Sequence, residues 1–306
     1  MDTPFLRHAS EWGFIMDYID LNGKLVKNTT AQDKLLEHLY TTFIGRMLLK
    51  PLVHPVISKL AGYYLSSSHS AKLIKGFVQK NNIDMCSYEA RNYSSFNDFF
   101  TRKIKEGKRP VPDDENVLIC PCDCKATVYK IHENTTFSIK NTEYTLRSLL
   151  RSPRLAKHFQ GGYAFLLRLT VDDYHRYIYS ASGKKSKNYH IAGSFHTVNP
   201  IANDYLPIYK ENTREYTVLH TKEFGDVVQM EVGALLVGKI ANHQPAKTSV
   251  IRGDEKGFFE YGGSTIIVLT QKNQVMPRED LLRNTERGYE TKLLQGHTLG
   301  NAKESC

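Results

Sequence analysis

Residues 256–269 read KGFFEYGGSTIIVL. Two glycines, Gly262 and Gly263, stand before the hydroxyl pair Ser264 and Thr265, and an unbroken run of Ile, Val and Leu follows. A short β-branched run bounded by glycine reads as a strand buried on both faces. The same texture recurs at VLICPCDCKATVYKI from residue 117, YAFLLRLTV from 163, YTVLH from 216 and DVVQMEVGALLVGKI from 226. Gly, Asn, Asp and Lys separate these runs, so the body of the chain is expected to be β-rich, with one short helix at TLRSLLR, residues 145–151.

Upstream the pattern changes. Leu36, Leu39, Tyr40, Phe43 and Met47 recur at helical spacing, Pro51 and Pro55 interrupt the run, and SAKLIKGFVQK (70–80) forms a second helical piece. Lys34, Arg46, Lys50 and Lys59 surround this apolar face, which suits either the protein's own core or a lipid surface. The fold class expected is α+β: a helical region over 1–90, then a mostly β catalytic body over 91–306.

The chain has 306 residues, 41% apolar and 24% charged, enough to bury a core of ordinary size. A net charge of +9 favours an anionic partner. Zinc-finger spacings, RNP-like aromatic runs and long Arg tracts are all missing, so nucleic acid is not indicated. The opening MDTPFLRHASEWGFIMDYID lacks the apolar core of a secretory signal. No stretch nears the ~20 apolar residues that span a bilayer. A peripheral position on a membrane's cytoplasmic face fits these features.

The GGST stretch reads as a turn feeding a strand, or as a site of chemistry. Serine Oγ can attack the carbonyl of the residue before it, and glycine there removes the Cβ that would hinder the attack. Elimination of the resulting ester leaves a pyruvoyl group on a new N-terminus. Such a carbonyl condenses with a substrate amine and accepts the electrons left when CO2 departs. His175, within DDYHRYIYSASG (172–183), is an imidazole suited to proton transfer. Cys120, Cys122 and Cys124 alternate along a run expected to be strand, which would turn all three to one face and Asp123 to the other. Their spacing is not that of a zinc motif, so no metal is expected and small buried thiols are the reading. Among the remaining histidines, His190, His196, His220 and His243 show no metal-ligand spacing.

Read in order, these stretches resemble the phosphatidylserine decarboxylase family. SFNDFFTRKIKEGKRP (95–110), PCDC (121–124), DYHR (173–176), GSFHTVNPIA (193–202), NTREYTVL (212–219), FGDVVQMEVGALLVGKI (224–240), KGFFEYGGSTIIVL and TERGYETKLLQG (285–296) follow the family's sequence of motifs. The resemblance implies self-cleavage between Gly263 and Ser264 into chains 1–263 and 264–306, with Ser264 becoming the pyruvoyl cofactor. It implies that Asp123 serves the cleavage and that His175 donates a proton during decarboxylation. The substrate implied is phosphatidylserine on an anionic membrane surface, the product phosphatidylethanolamine, and the assembly a homodimer.

Three positions depart from the pattern. Ile178 stands where the family has the second histidine of DYHR-x-His, the base that activates the serine; Cys124 replaces a glycine, and Lys239 a serine. Three readings therefore stay open: a decarboxylase using another base (His175, His190 or His196), a pyruvoyl enzyme for another amino-acid-like substrate, or a non-cleaving lipid-binding relative.

Overall fold

The computed structural model describes residues 17–27, 42, 55–139, 142–194, 208–233, 239–262 and 264–303. Among these, eleven strands form one large sheet in the order Thr248–Val250, Gly183–Lys185, Arg214–His220, Asp226–Val232, Ser264–Thr270, Tyr163–Leu169, Cys124–Lys130, Glu290–Leu293, Tyr18–Ile19 and Leu25–Val26, with Tyr189–Ile191 paired beside Arg214–His220. The Ser264–Thr270 strand lies inside this sheet and all seven of its residues are buried. Its uninterrupted Ile-Ile-Val-Leu run reflects that position: with neighbours at both edges and cover on both faces, alternation with polar residues has no place. In register, Ser264 faces Leu169, while Thr265 lies between Val232 and Arg168.

Two three-stranded sheets pack around it. One comprises Ile240–Asn242, Glu255–Phe259 and Arg176–Ile178; the other Val275–Pro277, Thr298–Ala302 and Val117–Ile119. The expected helix appears at Leu146–Leu150, capped by Thr145, whose Oγ1 accepts from Ser148 N–H at 3.2 Å. With helices at Pro55–Leu65, Leu73–Lys80 and Glu279–Glu286, the α+β expectation is borne out.

Two readings need correction. The first ninety residues are not uniformly helical: Tyr18–Ile19 and Leu25–Val26 are strands, and the former joins the large sheet parallel to Glu290–Thr291. A tight turn makes this possible, with Asp20 Oδ1 accepting from the N–H groups of Asn22 (2.9 Å) and Lys24 (2.8 Å). The apolar face over Leu36–Met47 lies outside the described residues. The second correction concerns CPCDC, which is not a continuous strand. One strand ends at Ile119 and the next begins at Cys124. Pro121 has no N–H for a ladder, and the chain turns there.

A small aromatic cluster joins the helices to the sheets. Leu65, Phe96, Phe99 and Phe100 are buried, with Ile74, Phe77, Val78 and Tyr261 packed against them. The short Phe96–Phe100 helix starts at Ser95, whose Oγ accepts from Asp98 N–H at 3.2 Å. Phe96 meets Phe77 edge-on at 5.0 Å and Tyr261 at 5.1 Å. Each buried Phe contributes roughly 1.5–3 kcal/mol, so this cluster fixes Tyr261, the residue before the glycine pair, firmly in place.

Candidate active site

Ser264 opens its strand fully buried, and its Oγ has no hydrogen-bond partner among the described residues. A buried hydroxyl left unpaired costs about 1–3 kcal/mol. Gly262, two residues earlier, has φ +139°, a conformation that side-chain-bearing residues rarely adopt. Gly263 lies outside the described residues.

Strand register brings His175 beside the segment that leads into Ser264. Tyr177 pairs with Gly257 and Arg176 with Phe258, and the His175 carbonyl accepts from Phe259 N–H at 3.0 Å. The His175 ring packs on Phe100 with centroids 4.1 Å apart. Its Nδ1 lies 2.9 Å from the Asp173 carbonyl, which can only accept, so Nδ1 carries the proton and Nε2 keeps its lone pair. Nε2 is buried without a hydrogen bond of ordinary geometry, and the Gly262 backbone approaches the ring closely enough to favour its charged form. Burial outweighs that help: desolvation lowers the imidazole to about 4, against the pull of the Asp173 charge. At neutral pH His175 is an uncharged ring whose Nε2, among the described residues, has no hydrogen bond of ordinary geometry.

Asp173 anchors the motif from below. It accepts from Thr170 N–H (2.7 Å) and Thr170 Oγ1 (2.8 Å) and forms an ion pair with Lys292. Burial alone would raise its carboxyl, but Lys292 and Lys125 hold it at about 2. Asp123 occupies other company. Arg109 grips it through Nε (2.8 Å) and a terminal nitrogen (2.5 Å), and Gln295 N–H donates to it at 2.9 Å. Its described partners include no histidine.

Arg102 completes the site. It is fully buried on the aromatic cluster, 4.3 Å above the Tyr88 ring and 4.8 Å from that of Phe99. One nitrogen donates to Tyr88 Oη at 3.3 Å and to the Asp172 carbonyl at 3.5 Å. Among the described residues its Nε and other terminal nitrogen have no partner, and no carboxylate pairs with it. The guanidinium charge acts on His175, disfavouring protonation of the ring. A buried cation without an anion is costly unless an anion arrives.

The family model for phosphatidylserine decarboxylase matches residues 96–301, a span holding Arg102, Arg109, Asp123, Asp173, His175 and Ser264. The chain belongs to the phosphatidylserine decarboxylase family. It is similar to "Phosphatidylserine decarboxylase proenzyme 2" of Clostridium acetobutylicum, 43% identical over 270 residues, covering 88% of this chain and 92% of that protein. Phosphatidylserine decarboxylase proenzymes of Ruminiclostridium cellulolyticum (39% identity; 89% and 92% covered) and Clostridium botulinum strain Langeland (37%; 89% and 94%) are similar as well.

Three positions singled out in the sequence can be placed. Ile178 is buried, and its N–H donates to the Pro121 carbonyl at 2.9 Å, which sets position 178 beside the turn carrying Asp123. Asp123 itself pairs with Arg109. The Lys239 carbonyl accepts from Glu260 N–H at 3.0 Å, two residues before Gly262. Of the other candidate bases, His190 is largely exposed on an edge strand, 3.8 Å from Glu215, and His196 lies outside the described residues. Sequence reasoning missed Arg102 and Arg109. Both stand in the SFNDFFTRKIKEGKRP stretch, and the signal was a pair of arginines beside an apolar aromatic run.

Proposed function

We propose that this chain is a phosphatidylserine decarboxylase that matures by cutting itself between Gly263 and Ser264, using His175 as the base. One observation carries the reading: the buried, unpartnered Ser264 Oγ lies two residues from Gly262, whose backbone approaches a buried, neutral His175 with an unpartnered Nε2. His175 Nε2 takes the proton of Ser264 Oγ, and a glycine at 263 puts no Cβ in the way of the hydroxyl oxygen as it attacks the preceding carbonyl. The buried position of Ser264, directly after two residues without a Cβ, fits a pyruvoyl group there. Once present, that group supplies an electron sink next to the bond that releases CO2. The chain's own residues do the rest. Arg102 offers its free N–H groups to a substrate carboxylate or phosphodiester, and the aromatic wall of Phe100 and Tyr261 excludes water. His175 Nε2 takes a proton from the substrate ammonium as that amine is deprotonated, and passes it to the carbon that has lost CO2. Asp123, clamped by Arg109, holds the turn beside position 178.

The same reading gives residues 1–90 to the membrane. The Pro55–Leu65 helix exposes Val56 (52%), Leu60 (59%), Tyr63 (78%) and Tyr64 (54%), an i, i+4, i+7, i+8 stripe. Exposed Lys72, Lys75 and Lys80 follow it. Apolar and tyrosine side chains next to lysines suit the surface of an anionic bilayer. No described helix is long and apolar enough to cross one. The neighbouring buried side chains pack on the Phe96–Phe100 cluster that touches His175, so a lipid held at the stripe has its headgroup near the site. A peripheral, homodimeric enzyme at the cytoplasmic face completes the proposal.

The test is turnover on vesicles containing phosphatidylserine. The wild-type chain forms phosphatidylethanolamine and CO2, and Ser264→Ala forms none. Leu60→Asp with Tyr63→Asp raises the apparent KM for vesicles and leaves kcat nearly unchanged. Turnover of free serine compounds with none of the phospholipid contradicts the substrate assignment.

A further inference from the structure

Cys120, Cys122 and Cys124 are fully buried, and their three Sγ atoms lie within 4.8 Å of one another. A regular strand would carry Cys120 and Cys124 roughly 13 Å apart, at about 3.3 Å per residue. The turn at Pro121–Asp123 folds them together instead, and Cys120 Sγ sits 3.5 Å from Cys124 Sγ and 3.1 Å from the Cys122 carbonyl.

Groups outside the trio hold that turn from several sides. Cys120 N–H donates to the His297 carbonyl at 2.7 Å, and the Cys120 carbonyl accepts from Gly296 N–H at 2.9 Å. The Pro121 carbonyl accepts from Ile178 N–H (2.9 Å) and Gln295 Nε2 (3.2 Å). Asp123 is locked by Arg109 and Gln295. The three sulfurs therefore stand on a braced scaffold, with no need of one another to keep their places.

With one separation of 3.5 Å and none above 4.8 Å, they are gathered closely enough to share a metal ion. A zinc–sulfur bond of about 2.3 Å sets sulfurs about 3.8 Å apart in a tetrahedral site and about 4.0 Å apart in a trigonal one. Three thiolates with no oxygen donor select soft cations, zinc and monovalent copper before magnesium or calcium. Among the described residues no other His, Cys, Asp or Glu joins the cluster, which points to three protein ligands.

We propose that Cys120, Cys122 and Cys124 form a three-thiolate site for one soft d10 cation, Zn2+ or Cu+. The site bears no part of the decarboxylation proposed above. An ion there pins the turn that carries Asp123, in place of the glycine that the family has after this aspartate.

The experiment uses the full chain, reduced and freed of metal, titrated separately with Zn2+ and with Cu+ against a chelator of each. One equivalent of at least one ion is retained, and its X-ray absorption spectrum shows three sulfur neighbours. Cys120→Ser and Cys124→Ser each weaken retention by more than the ~10–100-fold typical of removing a ligand's supporting partner. Cys86→Ser, at an exposed thiol, leaves it unchanged. If the serine variants do not fold, the wild-type spectrum decides by itself. Retention of neither ion, equal retention by folded Cys120→Ser, or a bound ion with fewer than three sulfur neighbours overturns the proposal.

Discussion

Glu231 and Lys256 lie as deep in this protein as Ser264 and His175, yet the two groups are finished differently. Lys256 Nζ donates to Glu231 Oε2 at 2.6 Å and to Asn242 Oδ1 at 2.7 Å. Asn242 donates to Glu215 at 2.7 Å. Gln229 donates to the Ile178 carbonyl at 3.0 Å and accepts from Ser180 N–H at 3.2 Å. Burial raises the Glu231 carboxyl and the Lys256 ammonium opposes the rise, so the pair persists through mutual attraction. The Ser264 hydroxyl, the His175 Nε2 and two Arg102 nitrogens are, by contrast, buried and unmatched among the described residues. Satisfied polar groups in a core specify a structure; unsatisfied ones at one place mark where another bond or ligand belongs.

That contrast breaks if substitutions in the two groups have similar consequences. The largest expected effect is on chemistry: His175→Gln slows self-cleavage about 10²–10⁴-fold, the range for a lost general base, with little change in the denaturant midpoint. Quantifying the two fragments over time checks it. Cleavage at the wild-type rate would remove His175 from the base role. Lys256→Met leaves Glu231 buried without its cation and destabilises the fold by about 3–5 kcal/mol, while folded molecules still cleave. Urea unfolding followed by fragment analysis separates those outcomes.

A smaller effect comes from pH. Folded His175 protonates near 4, its unfolded counterpart near 6.5. As pH falls below 6.5 the unfolded chain takes up the proton first, so stability present above that value is lost between 6.5 and 4. The loss reaches roughly 3 kcal/mol and is missing in His175→Gln. Asp173, held at about 2, has the same sign but contributes only below its ordinary 3.8. The smallest and most informative change is Ile178→His, which sets an imidazole beside the Asp123 turn. If that base couples to Ser264, maturation quickens severalfold; an unchanged rate keeps the work at His175.

Much of the fold was legible because burial on two faces leaves an unmistakable mark, as in Ser264–Thr270 and Tyr163–Leu169. The site was half legible. Ser264 and His175 follow from residue type and neighbours, but their unpartnered state is a property of the assembled core. Arg102 could not be singled out, since an arginine in a sequence declares its charge and not the lack of an anion around it. The pairing of Asp123 with Arg109 spans 14 positions and depends on the turn at Pro121. That proline was the available sign that the cysteine run is not one strand, and alternation concealed it. The short N-terminal strands escaped because two-residue elements owe their form to the sheet edge they meet, not to their own pattern.

The claim at the centre is that the dry, unpaired serine is a bond-breaking group. Intact-mass measurement of the purified chain, with and without a carbonyl-reactive hydroxylamine, tests it most directly. The account predicts two fragments divided between Gly263 and Ser264, with only the C-terminal fragment gaining the reagent, and a single uncut species for Ser264→Ala. An uncut, unreactive wild-type chain after prolonged incubation with phosphatidylserine vesicles would contradict it.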